Sequence, residues 1–469
     1  MKVIIIGGGI SGCTAYLQLK RHLPQLTPPS RHEITIYEAY ETDISTTNEC
    51  RDGQTHSSSL VVGGGLGVFP NGLRVLKRLD EDILRDVVRE GYVIAHQDLK
   101  SKNGRLLLRM DSTADPDPDM EGQRMHLLGI SRHSLWSSLR RRIPDRDIQT
   151  KRVSRVVANQ DGRNMVYFAD ESSSVDADLV IGADGLKGIT KSALFLGQEI
   201  CRPEYQGLVG VGGFISADEV QGLVEKGSMS LVFGGNGFFG YFFSNSSLSA
   251  PDRDSPYHVS EAGQTLAWWS TYAVDSCPDP KNLDMDTVVK QLRERHAHWR
   301  DPVIAKILLS LRVSSMYPTW TSSQLPRWES DGVVLVGDAA HALPSTSGQG
   351  SSQALEDVEA LAMLLGHALQ GVYSTGSADT LKLKAAITTA ARRYEAIRYP
   401  RVRRILENAQ RMQSNKRDMG FLTEYMMYCG LWIAGCFPKL MSRFTQRVIN
   451  YDIAEDVRTF VERQMASTF

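Results

Sequence analysis

Apolar runs and small or polar residues alternate over the first forty positions in a way that predicts strand, turn, helix and strand. Val3 to Ile6 is a run of branched apolar residues, which is typical of a parallel strand buried on both faces. Glycines follow directly, and Cys13 to Leu23 then carries the apolar spacing of a helix. Residues 33–37 form a second strand pattern, which ends in Glu38. This order of elements predicts the beginning of a parallel sheet that is covered by helices.

Two later segments repeat the pattern of a buried strand followed by a turn of small residues. Leu179 to Ile181 leads into Gly182-Ala183-Asp184-Gly185, and Val333 to Val336 leads into Gly337-Asp338. The second turn is followed by 351–369, where the apolar spacing predicts a long helix. Both segments are therefore expected to add strands to the same sheet, each with an Asp at its carboxyl end.

The middle of the chain changes to short strand patterns separated by turns. Gly207 to Ala273 contains four such patterns, which favours an antiparallel sheet. We expect most of its aromatic rings to lie in the sheet core and alternate residues to face an apolar small molecule. The rings in question are those of Phe238, Phe239, Tyr241, Phe243, Trp268 and Trp269.

The C-terminal part has the pattern of helices. Helical spacing covers 381–399, is interrupted at Pro400 and resumes over 401–417. The segment 421–437 is more apolar, and we interpret it as a core helix or a substrate-entrance helix in preference to a membrane-surface helix.

Length and composition place the chain among ordinary globular proteins. A chain of 469 residues suggests two or three structural units. Its 53 basic and 54 acidic residues leave no basic excess for nucleic acid. The six cysteines form no zinc or disulfide spacing, and we expect neither a signal peptide nor a membrane span of roughly 20 apolar residues. We therefore expect a cytoplasmic protein, a monomer or homodimer, without a metal site.

Three histidines and one basic run near possible sites have simple structural interpretations. His296 and His298 lie in a polar helical stretch and are expected to be solvated. The basic run from Arg140 to Arg142 is expected to be a solvated helix end, and His341 is expected to be buried against a neighbouring loop.

The glycines after the first strand carry the first candidate chemistry. Gly7, Gly9 and Gly12 fit the spacing G-x-G-x-x-G between a strand and a helix. The first allows a tight turn, the second a close approach of the backbone to a pyrophosphate, and the third close packing of helix and strand. Glu38 is placed to accept hydrogen bonds from ribose hydroxyls. The unit predicts a dinucleotide site.

The sequence after Glu38 favours FAD over NAD. An NAD-binding domain would continue with strand and helix repeats, whereas residues 40–59 are polar and lead into a glycine-rich stretch, 62–68. We expect Gly65 and its glycine neighbours to form a loop against a flat ring system. The helical pattern from Leu73 to Leu84 follows.

Taken together, these motifs resemble those of the class A flavoprotein monooxygenases, the group that contains 4-hydroxybenzoate and salicylate hydroxylases. The glycine motif with Glu38, the pair Asp184-Gly185 and the pair Gly337-Asp338 occur in the order of that family. The segment 130–136, with Arg132, is similar to the family's R-x-x-L site. The sequence departs from the family after Asp184-Gly185, since Gly188 and Lys191 replace the usual serine and arginine.

The resemblance implies a role for each of these residues. Gly7, Gly9, Gly12, Glu38 and Arg132 would hold the adenosine and pyrophosphate of FAD, and Asp338 the ribityl–pyrophosphate region. Gly65 and Asp184 would also contact the cofactor. No catalytic side chain is identified. The residues expected beside the flavin ring are Pro344, Gly348, Gln349 and Gly350.

The resemblance also implies an α/β fold. It has a Rossmann-like FAD-binding domain of the glutathione-reductase type, an antiparallel-sheet substrate domain and a C-terminal helical segment. We expect a discontinuous FAD-binding domain of residues 1–80, 120–200 and 330–375. Residues 81–119 and 201–329 would form the substrate domain, and 376–469 the C-terminal helical region.

The implied activity is that of an FAD-dependent monooxygenase of secondary metabolism. NADPH or NADH would reduce the flavin, and O₂ would give a flavin C4a-hydroperoxide that hydroxylates or epoxidises a hydrophobic, aromatic or polycyclic small molecule. A reductase, an oxidase or a Baeyer–Villiger oxygenase would use the same fold, and these alternatives stay open. A non-catalytic flavin-fold binding protein is less favoured, because Gly348 to Gly350 form an intact ring-side loop.

Overall fold

The structure is a computed structural model of the whole chain. It describes all residues outside a set of short gaps, which are 27–30, 42–64, 118–119, 160–161, 196–202, 280–282, 312, 314–315, 323, 374–378, 414–417, 438–444 and 467–469. The polar stretch predicted over 40–59 and the first part of the predicted glycine loop lie almost entirely outside the described residues.

The described residues form strands throughout the first three quarters of the chain. In chain order they are β1 (Lys2–Ile6), β2 (Glu33–Glu38), β3 (Gly65–Val68), β4 (Tyr92–Ile94), β5 (His96–Ser101), β6 (Leu106–Asp111), β7 (Leu127–Ser131), β8 (Ile148–Thr150), β9 (Val153–Val157), β10 (Asn164–Phe168), β11 (Val175–Ala177), β12 (Leu179–Gly182), β13 (Glu204–Ser216), β14 (Ser228–Gly234), β15 (Gly237–Phe243), β16 (Thr265–Ala273), β17 (Met316–Thr321), β18 (Glu329–Ser330) and β19 (Val333–Leu335).

Helices alternate with these strands and make up most of the C-terminal part. They are α1 (Ile10–His22), α2 (Pro70–Leu79), α3 (Glu81–Arg89), α4 (Arg132–Arg140), α5 (Met285–His296), α6 (Pro302–Leu309), α7 (Asp338–His341), α8 (Gly350–Tyr373), α9 (Thr380–Gln413), α10 (Phe421–Gly435) and α11 (Ile453–Ala466).

The largest parallel sheet contains the strands that were predicted from branched apolar runs. Its six strands have the order β18-β19-β12-β1-β2-β8, and only the pair β18 and β19 is antiparallel. Helices α1, α8 and α9 share one buried apolar core with it. The carboxyl ends of β1, β2, β12 and β19 therefore meet at one edge, where ligands bind in open α/β sheets. The predicted α/β, Rossmann-like fold class is confirmed.

A second sheet, of seven strands, has its own apolar core. Its order is β17-β13-β16-β15-β14-β5-β6, and all neighbours are antiparallel except β14 and β5. The predicted antiparallel sheet over 207–273 is thus present. Strands β5 and β6 join it, whereas α3 packs in the core of the parallel sheet. The division into domains stays a prediction.

Two smaller sheets complete the strands. Strands β3, β7 and β4 form an antiparallel sheet, and β11, β10 and β9 form another. The expectation of a loop at Gly65 is wrong, because Gly65 pairs with Ser131 in the ladder between β3 and β7. The residue is small because the ring of Phe242 lies beside it, 2.8 Å from where a Cβ atom would be.

Two predicted helices have different bounds in the structure. The single helix expected over 73–84 is two helices, because Asp80 ends α2 and caps α3 by accepting hydrogen bonds from the backbone N–H groups of Asp82 and Ile83. The break expected at Pro400 is absent, and α9 continues through it. Arg398 and Arg401, on either side of Pro400, bind buried carboxylates of α8, and this packing outweighs the hydrogen bond that proline removes.

The apolar helix α10 is mostly exposed, and only Glu424 and Tyr428 are buried. Its inner side chains pack on β6 and β14, but six large apolar side chains on its outer side face solvent. The interpretation of the segment 421–437 as a core helix is wrong for these residues. None of the described helices combines the length and the apolar character that crossing a bilayer requires.

Candidate functional site

The glycine turn between β1 and α1 has the geometry of an anion-binding turn. Gly7 has a φ of +103°, and its N–H donates to the carbonyl oxygen of Tyr37 at 2.8 Å. A Cβ atom on Gly12 would lie 1.9 Å from the carbonyl oxygen of Gly7, so helix and strand are in direct contact there. Gly9 precedes α1 without any side-chain cap, and no acidic residue lies in the first turn. The helix N-terminus therefore keeps free N–H groups and a positive potential.

Glu38 lies at the carboxyl end of β2 and is bonded to this turn. Its Oε2 accepts a hydrogen bond from the N–H of Gly8 at 2.7 Å, and its Oε1 accepts one from Tyr40 at 3.1 Å. The side chain is buried. Each carboxylate oxygen has further acceptor capacity, so the group can also receive ribose hydroxyls.

Helix α4 connects the predicted Arg132 to the same turn. Arg132 is exposed at the first position of the helix, and Trp136 is buried one turn further on. The indole N–H of Trp136 donates to the carbonyl oxygen of Gly8 at 2.8 Å. This contact was not predicted, because sequence separation hides that the side chain reaches back 128 residues.

The Asp184 turn lies directly beside Gly7. A Cβ atom on Gly7 would meet the carbonyl oxygen of Ala183 at 2.5 Å, and one on Gly188 would meet Asp184 Oδ1 at 2.1 Å. Thr190 donates to Asp184 Oδ2 from its backbone and its hydroxyl, at 2.9 and 2.8 Å. Oδ1 is buried with no hydrogen-bond partner among the described residues, and burial raises the pKa of this carboxyl.

Lys191, which stands where the family has arginine, does not reach out of this turn. Its side chain is buried, and its Nζ donates to the carbonyl oxygen of Leu186 at 2.5 Å. Burial lowers the pKa of Lys191, and the charge of Asp184 opposes that shift. Gly188 is required because any larger residue would collide with the Asp184 carboxylate.

The third motif reaches the same edge from β19. Gly337 has a φ of +59°, and a Cβ atom there would lie 2.4 Å from Ser11 Oγ in the first turn of α1. Asp338 follows it, exposed at the start of α7. The structure thus brings together the glycine motif, the Asp184-Gly185 pair and the Gly337-Asp338 pair. An unpartnered buried carboxylate oxygen, an uncapped helix end and glycines without room for a side chain fit the polar half of an FAD molecule.

The predicted ring-side loop is held from below by buried polar groups. Pro344 is buried, Gly348 has a φ of +59°, and Gly350 has open space where a side chain would be. Gln349 points inward, and its Oε1 accepts a hydrogen bond from Asn71 Nδ2 at 3.1 Å. The Gln349 side chain therefore anchors the loop from inside. The outer surface of the loop is formed by its backbone and its glycines.

A buried ionic cluster supports both the loop and the Gly337 turn. Glu356 accepts from Asn71 Nδ2 at 2.6 Å and from Arg401 Nε at 2.8 Å. Asp357 accepts from the N–H of Gly337 at 2.9 Å, from His341 Nε2 at 2.5 Å and from Arg398 Nε at 2.8 Å. His341 is buried as expected, but its partner is a carboxylate.

The cluster keeps its carboxylates ionised. Burial opposes the ionisation of Glu356, but the charges of Arg401 and Arg398 outweigh it and hold its pKa below the ordinary value. Burial also opposes the ionisation of Asp357, but the charges of His341 and Arg398 outweigh burial. The pKa of Asp357 is therefore below its ordinary value. Local sequence does not reveal the role of Glu356 and Asp357, since Arg398 and Arg401 lie about forty positions away along the chain.

The aromatic strands present one face to this site. Trp269 contacts both Phe238 and Phe242 on that face of β15 and β16, whereas Phe239 and Trp268 stack on the other side. The Phe242 ring lies beside β3, and the hydroxyl of Ser351 donates to the carbonyl oxygen of Gly67 in β3 at 2.8 Å. The first face thus adjoins the ring-side loop through β3.

Two side chains expected in solvent are buried. His296 lies between Phe239 and Trp299, and its Nε2 is 3.0 Å from the hydroxyl oxygen of Ser270. Burial and the charge of Arg295 lower its pKa to about 3. Arg140 is also buried, because it caps the end of α4 through the carbonyl oxygen of Ile143, whereas His298 is exposed as predicted.

One group of described residues has the composition of a metal site, namely His96, Asp98 and Glu225. Arg109 already occupies it, because its guanidinium bonds both Asp98 oxygens at 2.7 and 2.9 Å and Glu225 Oε2 at 2.6 Å. A cation there would have to displace this bidentate ion pair.

Comparison with known proteins agrees with this geometry. A family model described as an FAD binding domain matches residues 81–395. A 3-amino-4-hydroxybenzoate 2-monooxygenase of Streptomyces platensis is 25% identical over 406 residues, which cover 86% of this chain and 85% of that protein. A chloroplastic zeaxanthin epoxidase of Oryza sativa subsp. japonica is 25% identical over 413 residues, which cover 86% of this chain and 53% of that protein. A salicylate hydroxylase substrate complex has the same fold, with a TM-score of 0.69, 17% identity and coverage of 98% of this chain and 97% of that one.

Proposed function

This chain belongs to the FAD-binding-domain family, as a class A FAD-dependent monooxygenase, and we propose that it uses NADPH or NADH and O₂ to hydroxylate or epoxidise an apolar aromatic or polycyclic small molecule. One observation carries the proposal. The glycine motif, the Asp184-Gly185 pair and the Gly337-Asp338 pair lie together, beside an aromatic face of the seven-stranded sheet. Gly7 touches Ala183, and Gly337 touches Ser11. The aromatic face of Phe238, Phe242 and Trp269 is continuous with the ring-side loop through β3.

We assign the FAD-holding roles to the residues at the edge of the parallel sheet. Gly7, Gly9 and Gly12 would receive the pyrophosphate, and Glu38 the adenosine ribose, with Arg132 at the entrance to this turn. Asp184 and Asp338 would bond the middle of the cofactor, and Gly348 and Gly350 would lie along its ring. Bound FAD supplies the redox chemistry, since its reduced ring activates O₂.

The protein's own part is to orient the substrate and exclude water. Trp269 is half-buried beside the buried ring of Phe242, so an apolar ring can pack against Trp269 in a dry environment. On this face, β15 and β16 carry Phe238, Gly240, Phe242, Ala267 and Trp269, together with threonines and Ala273, and no titratable side chain. That surface suits an electron-rich ring or alkene that needs no deprotonation by these strands.

The names of the relatives support both outcomes of oxygen transfer. One relative is named as a monooxygenase of a hydroxybenzoate and another as an epoxidase. Hydroxylation and epoxidation are therefore kept together in the proposal, and the substrate is defined by its class only.

The test uses the purified FAD-loaded protein, NADPH or NADH, and a panel of apolar arenes and polycyclic alkenes under ¹⁸O₂. We expect at least one compound to gain a single ¹⁸O atom and to lower the yield of H₂O₂ per NAD(P)H consumed. Substitution of Trp269 by Ala should raise the H₂O₂ yield and lower the labelled product, while Trp268→Ala, on the far face, serves as the comparison. Consumption of NAD(P)H with all oxygen recovered as H₂O₂ for every compound would favour an oxidase or reductase instead.

A further inference from the structure

Helix α10 displays an uncharged surface for which the rest of the described chain provides no cover. We define the outer face of α10 as the exposed side chains of Phe421, Leu422, Tyr425, Met426, Trp432 and Ile433. Phe421 is 73% exposed and Trp432 is 52% exposed. Their spacing of four and of seven or eight positions places them in two adjacent stripes on one side of the helix. A contiguous apolar surface of this kind marks a binding site.

The exposure does not come from a loosely attached helix. On the inner side, the hydroxyl of Tyr428 lies 2.8 Å from the carbonyl oxygen of Phe233 and 2.6 Å from Glu424 Oε1. Lys102 Nζ lies 2.7 Å from the same carboxylate, and the N–H of Met419 donates to the carbonyl oxygen of Gly235 at 2.7 Å. The helix is therefore fixed to the seven-stranded sheet with its outer face turned away.

The charged residues before and after α10 in the sequence indicate what kind of partner the helix binds. Residues 416–447 contain five basic and two acidic side chains, and the exposed residues of α10 include no charged one. Both acidic residues are paired, Glu424 with Lys102 and Asp418 with Arg295 at 2.8 Å. The basic residues precede and follow the helix in the sequence. An uncharged aromatic surface with basic flanks is the pattern of a helix that lies in the interface of an anionic bilayer.

The aromatic residues of the outer face fit the same environment. Tyr and Trp concentrate at membrane interfaces because their rings are apolar and their tips form hydrogen bonds. A second copy of the chain would fit less well, because the sequences before and after α10 both carry a basic excess, and like charges repel. We propose that the outer face of α10 binds the surface of an anionic lipid bilayer, with the helix lying parallel to the membrane plane.

The helix also adjoins the aromatic face of the candidate site. Tyr428, Met427 and Leu431 pack in one cluster with Phe238 and Trp269. One consequence, which rests on the proposed function, is that the aromatic face would lie close to lipid in which an apolar substrate dissolves. Membrane binding itself does not depend on that function.

The binding experiment uses the full-length, FAD-loaded protein and flotation with two kinds of vesicle, phosphatidylcholine alone and phosphatidylcholine with phosphatidylserine. We expect the protein to float with the anionic vesicles, and less so at high salt. The double variant Trp432→Ser, Ile433→Ser should lower the bound fraction about tenfold. Leu381→Ser, on α9 and 75% exposed, is the matched control and should leave it unchanged. Equal flavin content in all variants shows that they are folded.

A second measurement locates the contact. Trp432→Phe should still float but should lose the part of the tryptophan fluorescence that brominated acyl chains quench. Failure of the wild-type protein to float with either vesicle, or equal flotation of the double variant, would overturn the proposal. So would a dimer by light scattering that the double variant converts to a monomer, with no vesicle binding. Since no arm measures turnover, a failure here is distinct from a failure of the oxygenase assignment.

Discussion

The carboxylate of Glu38 accepts a hydrogen bond from the backbone N–H of Gly8 at 2.7 Å. The bond joins the end of β2 to the glycine turn after β1, so the acid that is expected to bind the ribose also holds the turn expected to bind the pyrophosphate. The two halves of the adenosine site are therefore coupled through one side chain.

Removal of this carboxylate should weaken FAD binding. For Glu38→Ala we expect the Kd of the apoprotein for FAD to rise about ten- to a hundredfold, because hydrogen bonds to a charged group contribute roughly 1.5–3 kcal/mol each. Fluorescence titration with FAD measures the change. Glu33→Ala, at the exposed start of the same strand, is the control. Equal affinities of both variants would show that Glu38 does not bind the cofactor.

A methyl group at Gly12 should disrupt the same site by contact alone. Its Cβ atom would lie 1.9 Å from the carbonyl oxygen of Gly7, so Gly12→Ala must displace helix α1 from β1. We expect a loss of about 1–3 kcal/mol in unfolding free energy and protein purified with little flavin. The control is Gly371→Ala in α8, where nothing lies within 4 Å of the new atom. Full flavin content in Gly12→Ala would contradict the close packing.

Because of the buried ionic cluster, we expect substitutions at two arginines of α9 to change the free energy of unfolding by very different amounts. Arg398→Met removes the buried cation that Glu356 and Asp357 share, leaves them with Arg401 and His341, and should lower the unfolding free energy by about 3–5 kcal/mol. Arg403→Met breaks an exposed pair with Glu407, which solvent screens, and should leave the unfolding free energy nearly unchanged. Urea unfolding followed by circular dichroism compares them, and similar midpoints would mean that the cluster does not stabilise the fold.

His296 predicts a loss of stability in mild acid. Its folded pKa is lowered to about 3, so between that value and 6.5 the unfolded chain binds a proton that the folded chain does not. The contribution of His296 to the free energy of unfolding is complete above pH 6.5. It falls as the pH drops, and at pH 5 it is lower by about 2 kcal/mol. His296→Gln should remove this part of the pH dependence of unfolding.

The neighbouring histidine is the control for that measurement. His298 is exposed on the same segment, so His298→Gln shows whether an introduced glutamine alone changes the unfolding curve. The buried position would be contradicted if both variants followed the wild-type curve between pH 5 and 7.

The sequence predicted those parts of the fold that depend on local pattern. Branched apolar runs identified β1, β12 and β19 because a parallel strand is buried on both faces, and the glycines identified their turns because only glycine fits there. Glu38 and Asp184 were placed by their position after a strand. Their convergence follows from parallel pairing, which the pattern implies.

The features that were missed depend on distant partners. His296 lies in a polar stretch of sequence, yet its ring is buried against the seven-stranded sheet. Helix α9 continues through Pro400 because Arg398 and Arg401 bind carboxylates on α8. The carbonyl contact of Trp136 spans 128 positions. No local period records such pairings, whereas the exposure of Trp432 depends on what the rest of the chain leaves uncovered.

Oxygenation is tested most directly by rapid mixing of the anaerobically reduced, FAD-loaded protein with O₂-containing buffer, followed by diode-array absorbance. We predict a transient spectrum that belongs neither to reduced nor to oxidised flavin and that forms before the oxidised spectrum returns. An apolar aromatic substrate should shorten its lifetime and lower the yield of H₂O₂. A direct return from the reduced to the oxidised spectrum, with one H₂O₂ per flavin and no transient under any condition, would contradict the assignment as a monooxygenase.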